Sequence, residues 1–198
     1  MPSQSNHHII YLPGLGDDNF KDIQTNLLKI WSIYKVEVNY HYIGWSDKEA
    51  FQPKLDRILK EIDENVNLGK TVSLVGVSAG ASAAINALAL RQDNIASVVC
   101  VCGKLQNPQT VSHVRYEQNP AFKQSMDLLP ASYSKLNTKV LNNVLSLHPI
   151  KDSTVPVRDT YIENAHSKTM PTIGHGLSIL YALTFGSYQI VKFIKKSG

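Results

Sequence analysis

A glycine-flanked serine stands between a run typical of a strand and a run typical of a helix, and this junction constrains the fold more than any other part of the chain. Residues 71–75 are apolar and largely β-branched, whereas residues 79–90 are rich in Ala and Leu. Between them, residues 76–80 read Gly-Val-Ser-Ala-Gly. At a sharp strand-to-helix turn, a G-x-S-x-G sequence places the serine hydroxyl at the tip of the strand, and the glycines permit close backbone approach. We interpret Ser78 as a candidate nucleophile; a serine that only caps the helix is the alternative.

Strand-like and helix-like runs alternate along the whole chain. We predict strands near residues 7–12, 35–40, 71–76, 97–102, 142–148 and 168–172. We predict helices near residues 17–30, 49–65, 79–91, 157–165 and 177–195. This alternation predicts an α/β fold with a six-stranded, mostly parallel sheet and helices on both faces. At 198 residues, the chain is predicted to be a single domain spanning residues 1–198, with a short insertion or partial cover of the site within residues 104–139.

The motif and its strand-turn-helix context resemble the α/β-hydrolases. That resemblance implies the strand order 2-1-3-4-5-6 and a catalytic triad whose members follow in the order serine, acid, histidine. The histidine it implies is His175, which stands between two glycines after the last predicted strand and before an apolar helical run. A surface histidine without function is the alternative interpretation.

The acid should lie in the loop after the preceding strand. Asp152 follows the run at residues 140–147, and a Val-Pro pair comes a few residues later, as in the acid loop of the hydrolases. The resemblance therefore makes Asp152 the group that orients His175. Asp159 is the competing candidate. Its position at the start of a predicted helix suggests instead that its carboxylate interacts favourably with the helix dipole.

The resemblance also implies an oxyanion hole built from backbone amides. The loop after the first central strand contains Pro13-Gly14 where the family often has His-Gly. The match assigns the amide of Leu15, together with that of Ala79, to the developing oxyanion. A glycine turn in which Asp17 or an adjacent aspartate caps the next helix is compatible with this role.

Composition narrows the possible partners. The formal net charge of +4 is spread over scattered basic residues, and the N-terminal residues have no signal-peptide core. We expect a cytoplasmic protein that binds neither nucleic acid nor membrane; its oligomeric state stays open. No cofactor and no metal is implied. Cys100 and Cys102 lie two apart in a buried strand, which predicts two reduced, inert thiols in one layer of the core.

The sequence thus predicts a serine hydrolase that cleaves a small ester, a thioester or a related acyl bond in a small-molecule substrate. Because residues 104–139 are short and interrupted by proline, they should wall only a modest pocket, so we expect short acyl groups to be preferred over long lipid chains. Two alternatives stay open. One is a non-catalytic binding protein that keeps the fold and the pocket. The other is lyase or transferase chemistry on the same three residues.

Overall fold

In the computed structural model, which describes residues 6–197, six strands form one parallel sheet in the order β2-β1-β3-β4-β5-β6. The strands are β1 (His7–Leu12), β2 (Glu37–Tyr40), β3 (Thr71–Val77), β4 (Ser97–Val101), β5 (Val144–Lys151) and β6 (His166–Ile173). Every neighbouring pair is parallel. The predicted sheet and its strand order are therefore confirmed.

The helices connect these strands as crossovers. They are α1 (Asp17–Lys29), α2 (Phe51–Asn67), α3 (Ala79–Leu90), α4 (His113–Gln118), α5 (Pro120–Tyr133), α6 (Thr138–Leu141), α7 (His175–Leu183) and α8 (Ser187–Ser197). Two helix predictions are wrong. Residues 157–165 contain only a 3-10 turn, Val157–Thr160, because the backbone carbonyl and the carboxylate of Asp159 are both bound by the loop after β4. The predicted helix 177–195 is two helices bent by 62°, because the amide of Gly186 binds the carbonyl of Tyr181 over 2.7 Å and closes the end of α7 instead of continuing its hydrogen-bond pattern.

Alternate residues of the central strands face two separate cores. Ile10 of β1 and Leu74 of β3 belong to the core that packs against α2, α3 and α5. Their neighbours Ile9 and Val75 belong to the core on the opposite face, which includes residues of α7 and α8. Central parallel strands are buried on both faces for this reason, and they read in sequence as continuous apolar runs.

Residues 104–139 are mainly a crossover. α5 packs on α3, where the hydroxyl groups of Ser82 and Ser125 are hydrogen-bonded over 2.7 Å. Phe122 and Met126 of α5 are buried in the same core. Only α4 and the residue that follows it lie beside the cleft described below.

The two cysteines are both buried and unpaired, but the prediction that they share one layer is wrong. Cys100 belongs to one core and Cys102 to the other. Strand β4 ends at Val101, and Cys102 has a φ of 49°, so the strand alternation does not extend to it. Within residues 6–197, no single helix is long and apolar enough to span a membrane. Only when α7 and α8 are taken together, despite the bend between them, are the length and composition sufficient.

Candidate active site

Ser78 occupies the sharp turn between β3 and α3. Its φ of 53° and ψ of −116° lie outside the regions favoured by residues with a Cβ, and such strain persists only where surrounding structure holds it. Here the amide of Ser78 donates to the carbonyl of Val101 over 2.9 Å, and its carbonyl accepts from the amides of Ala81 and Lys104. The backbone of the serine is thus fixed from three sides, and its side chain is partly exposed.

Three glycines make room for this turn. A Cβ at Gly76 would lie 2.6 Å from the carbonyl oxygen of Gly80, and one at Gly14 would lie 2.8 Å from the Cβ of Ser78. A Cβ at Gly80 would overlap the backbone of Leu12. Since none of these positions tolerates a side chain, the motif glycines are explained by close approach between the β1 loop, the end of β3 and the start of α3.

His175 is the first residue of α7 rather than part of a free loop. It follows Gly174, whose φ of 90° turns the chain out of β6 and into the helix. The Nε2 atom of His175 lies 3.0 Å from the Oγ atom of Ser78. The imidazole therefore reaches back from the start of α7 to the serine at the end of β3.

Asp152 comes directly after β5 and lies on the other side of the imidazole. Its Oδ2 atom is 2.7 Å from Nδ1 of His175, while its Oδ1 atom accepts hydrogen bonds from the amides of Thr154 and Val155. Burial alone would raise the pKa of Asp152, but the hydrogen bonds from His175 and the two amides outweigh burial and hold that pKa below its ordinary value. The group is therefore a carboxylate at neutral pH and favours a proton on Nδ1 of His175.

Asp159, the competing acid, is held elsewhere. Its buried carboxylate forms an ion pair with Lys104 at 2.5 Å and accepts hydrogen bonds from Asn107 and Thr110. The expected role toward a helix dipole is wrong, because no α-helix begins there. Instead, Asp159 fixes the loop after β4, whose Lys104 amide binds the carbonyl of Ser78.

The loop after β1 lies against Ser78 and carries Leu15. Leu15 lines the same cleft as Ser78, and Ala79 is the first residue of α3. Among the described residues 6–197, the amides of Leu15 and Ala79 donate to no other group. Neither amide is therefore used by another contact in that part of the chain, and both belong to residues next to Ser78 or in the loop that lies against it.

Neighbouring side chains support this loop. Trp45 is fully buried and donates from Nε1 to the carbonyl of Pro13 over 3.0 Å, which agrees with the packing role that such a tryptophan usually has. The expectation that an aspartate caps α1 is wrong: Gly16 is the N-cap, and the carboxylate of Asp17 accepts hydrogen bonds from the amides of Ile43 and Gly44. Asp17 thereby ties the β1 loop to the loop after β2.

Cys102 is the neighbour of this site that the sequence analysis missed. Donor atoms of Cys102, Asp152 and His175 lie within 4.8 Å of one another, and among residues 6–197 no other such group of three could hold a metal ion. Burial, aided by the carboxylate of Asp152, raises the pKa of the Cys102 thiol to about 12, so the thiol is neutral. Its place at the carboxyl end of β4 was the available signal, because the site residues follow the carboxyl ends of neighbouring strands.

Ser78 and His175 open onto a cleft of about 870 Å³. Its walls come mainly from α1 and α7, with polar residues from the loop after β2 and from α4. The arrangement combines a serine hydroxyl and an imidazole oriented by a carboxylate, with the amides of Leu15 and Ala79, unpaired within residues 6–197, close to the serine in the chain or the fold. These are the groups that nucleophilic attack on a carbonyl requires.

Solved structures share this architecture. The chain aligns with BpoC of Mycobacterium tuberculosis, described as a non-heme bromoperoxidase, with a TM-score of 0.66 and 13% identity over 97% of this chain and 93% of that one. It aligns with Est1E from Butyrivibrio proteoclasticus at a TM-score of 0.63 and 13% identity, over 99% and 89% of the two chains. It aligns with human thioesterase 2 at a TM-score of 0.61 and 14% identity, over 98% of each.

The parallel sheet, its strand order and these similarities define the α/β-hydrolase fold, and this chain has that fold. No protein-family sequence model and no curated protein sequence matches the chain. At identities of 10 to 15%, the likeness concerns the fold, and the activity must be argued from the site.

Proposed function

We propose that this protein is a serine hydrolase that cleaves a small ester, a thioester or a related acyl bond. One observation carries the proposal: Ser78, His175 and Asp152 form a continuous series of hydrogen bonds, 3.0 Å and 2.7 Å long, at the carboxyl ends of the strands. The three residues come from three different strand ends, so local chain geometry alone does not bring them together. A serine that only caps α3 would need no such partners, and its side chain accepts no capping hydrogen bond.

In the proposed mechanism, Oγ of Ser78 attacks the carbonyl carbon of the substrate while Nε2 of His175 accepts the hydroxyl proton. Asp152 stabilises the imidazolium and keeps the ring in the productive tautomer. The amides of Leu15 and Ala79 bind the oxyanion. When the tetrahedral intermediate collapses, the leaving group departs with the proton from His175 and an acyl-serine remains.

Water then repeats the cycle on the acyl-serine. His175 takes a proton from the water as its oxygen attacks the acyl carbon, and it returns that proton to Oγ of Ser78 when the acid product leaves. Acyl transfer to a different acceptor would use the same first half, which is why transferase chemistry is the nearest alternative. Hydrolysis and transfer differ in the nucleophile that attacks the acyl-serine, which is water in hydrolysis and another acceptor in transfer.

The test follows p-nitrophenyl acetate hydrolysis in water enriched in oxygen-18. We expect an initial burst, a mass increase of one acetyl group on the peptide that contains Ser78, and labelled oxygen in the released acetate. Turnover without the label in acetate would indicate transfer to another acceptor. The absence of both turnover and acetylation for ester and thioester substrates would favour a binding protein.

A further inference from the structure

The cleft at Ser78 has an apolar half between α1 and α7. Three large apolar side chains from each helix line it: Phe20, Ile23, Leu27, Ile179, Leu180 and Leu183. On α1 the three follow one another at spacings of three and four, and on α7 Leu183 follows the other two by four and three residues, so each set shares one side of its helix. The two walls of this part of the cleft are thus mainly apolar, with Asn19 and Gln24 of α1 as polar residues beside them, and Ser78 lies at the same cleft.

Much of this apolar surface is uncovered. Phe20 is 53% exposed, Ile23 59% and Leu180 46%, whereas Leu183 is buried. Exposed apolar side chains that converge on one groove are typical of a binding site, because an apolar ligand removes their surface from water. Residues 104–139 contribute only polar residues, Arg115 and residues 118–119, to the cleft. The segment expected to wall an acyl pocket is thus not the part that supplies its apolar surface.

The other half of the cleft is polar. It is lined by Ser46, Lys48, Arg115, Gln118 and Asn119. Lys48 and Arg115 form no ion pair with any carboxylate in residues 6–197.

Two carboxylates, those of Asp17 and Asp18, also lie at this cleft, but both already accept hydrogen bonds. Asp17 accepts from the amide of Gly44, and Asp18 accepts from the hydroxyl groups of Tyr42 and Ser46. Oδ1 of Asp17 is buried without a hydrogen-bond partner among the described residues, so two carboxylates and two cations face this part of the cleft. This half therefore suits a polar group that hydrogen-bonds to charges of both signs.

We propose that the apolar half holds an unbranched acyl chain and that the polar half holds the leaving group. The inference rests on the proposed function, since it assigns the two sides of the bond that Ser78 attacks. The acyl chain stays attached while the leaving group departs and water enters. An apolar groove favours retention of the chain, whereas the open polar half provides the path for exchange.

The apolar half of the cleft also limits the length of acyl chain that it can cover. The part of α1 from Phe20 to Leu27 is on the order of 10 Å long at about 1.5 Å per residue, which an extended chain of about eight carbons would cover. The substrate class is therefore a medium-chain acyl ester or thioester with a polar leaving group. A much longer chain would project beyond the apolar side chains into water and gain nothing further.

The experiment compares two substrate series on the intact protein. One series lengthens the acyl chain of p-nitrophenyl esters from acetate to palmitate; the other lengthens the alcohol of alkyl acetates. We expect kcat/KM to rise about two- to fourfold per methylene up to about eight acyl carbons, the upper value corresponding to about 0.8 kcal/mol each, and then to level off. The alkyl acetates should change less than threefold across their series.

Two variants test the groove directly. Ile23→Glu and Leu180→Glu place a charge on one wall each, and both positions are exposed, so the fold should persist. We expect each to lower the ratio of octanoate to acetate kcat/KM at least tenfold. Ile33→Glu is the matched control, because Ile33 is also exposed but lies outside the cleft; it should keep the ratio of the unmodified protein.

The outcomes separate this inference from the proposed function. Acetate turnover and Ser78 acetylation with a flat acyl series would overturn the groove assignment and leave the hydrolase proposal standing. A rise confined to the alkyl acetates would reverse the assignment of the two halves and so contradict it. A rise that continues to palmitate would contradict the length. No acylation of Ser78 by any member of either series would overturn both proposals.

Discussion

The amide of Gly174 donates a hydrogen bond to the carbonyl of Lys151 across 2.8 Å. Gly174 precedes His175, and Lys151 precedes Asp152, so this bond joins the two turns that carry the imidazole and the carboxylate. Their side chains are therefore brought to hydrogen-bonding distance by the backbone of the folded protein. Positioning of this kind lowers the reorganisation that an attack by Ser78 would require.

Asp152→Asn and Asp159→Asn should impair different properties, catalysis in the first and stability in the second, although the chemical change is the same. Asp152→Asn removes the carboxylate that fixes the tautomer of His175, and we expect kcat to fall on the order of 10⁴-fold with little loss of stability. Asp159→Asn leaves the buried ammonium of Lys104 without its anion, and we expect the free energy of unfolding to fall by about 3 to 5 kcal/mol.

Urea denaturation and ester kinetics on both variants measure the two effects. A larger loss of kcat in Asp159→Asn, measured on folded protein, would transfer the role of the acid to Asp159. Equal losses of stability would show that the ion pair with Lys104 contributes less than its burial implies.

A second pair of variants tests the close packing beneath the serine. A Cβ at Gly80 would lie 2.6 Å from the carbonyl oxygen of Pro13, so Gly80→Ala should lower the free energy of unfolding by about 2 to 3 kcal/mol or prevent folding. Gly176→Ala is the control: no atom lies within 4 Å of its added Cβ, and it should stabilise α7 by up to about 1 kcal/mol. Thermal denaturation compares them; similar Tm values for the two variants would contradict the packing.

Part of the loss of folding stability at low pH should come from protonation of Glu61. Burial alone would raise its pKa, but hydrogen bonds from His41, His8 and Asn39 lower it to about 2 from an ordinary value of 4.5. Because the folded pKa lies below the unfolded one, the stabilisation is complete above about pH 4.5 and is lost as the pH falls toward 2. We expect Glu61→Gln to be less stable than the unmodified protein at pH 7 by about 1 to 3 kcal/mol.

That difference should shrink between pH 4.5 and pH 2.5, which urea denaturation at several pH values would show. Glu64→Gln, on the same helix, is the matched control; its carboxylate is exposed and 3.8 Å from Lys60, and its removal should change stability by less than about 0.5 kcal/mol. A Glu61→Gln difference that is independent of pH would contradict the assigned shift.

The two thiols should be unreactive in the folded protein. Burial raises the pKa of both Cys100 and Cys102 to about 12, and neither side chain is exposed. We expect no reaction with a disulfide reagent at pH 8 in buffer and reaction of both thiols in guanidinium. Ala in place of either cysteine should leave kcat/KM within about threefold. A selective loss of kcat in Cys102→Ala, with the fold intact, would mean that the thiol beside Asp152 contributes to the site.

The sequence predicted those features that depend on short-range pattern. The apolar run before Ser78 and the glycines around it are local features. The strand order was predicted from the resemblance to the α/β-hydrolases, which share one sheet topology. His175 and Asp152 could be located because each follows a strand end.

Long-range pairing was not accessible in the same way. The partner of Asp159 is Lys104, which is 55 residues away and is unrelated to it by any spacing rule. The apolar walls of the cleft come from α1 and α7, and nothing in either helix alone indicates that the other lies beside it. The break after α7 depends on contacts between Gly186 and the preceding turn, and Cys102 leaves the strand alternation because its φ is positive.

The central claim is that Ser78 is a nucleophile activated by His175, and labelling with a fluorophosphonate tests it most directly. We expect the probe to attach to one site, identified as Ser78 by peptide mass spectrometry. Ser78→Ala should abolish labelling and lower kcat on the order of 10⁴- to 10⁶-fold while the protein remains folded. Ser134→Ala, at an exposed serine away from the cleft, should label like the unmodified protein. Labelling that persists in Ser78→Ala, or ester hydrolysis within tenfold of the unmodified protein, would contradict the account.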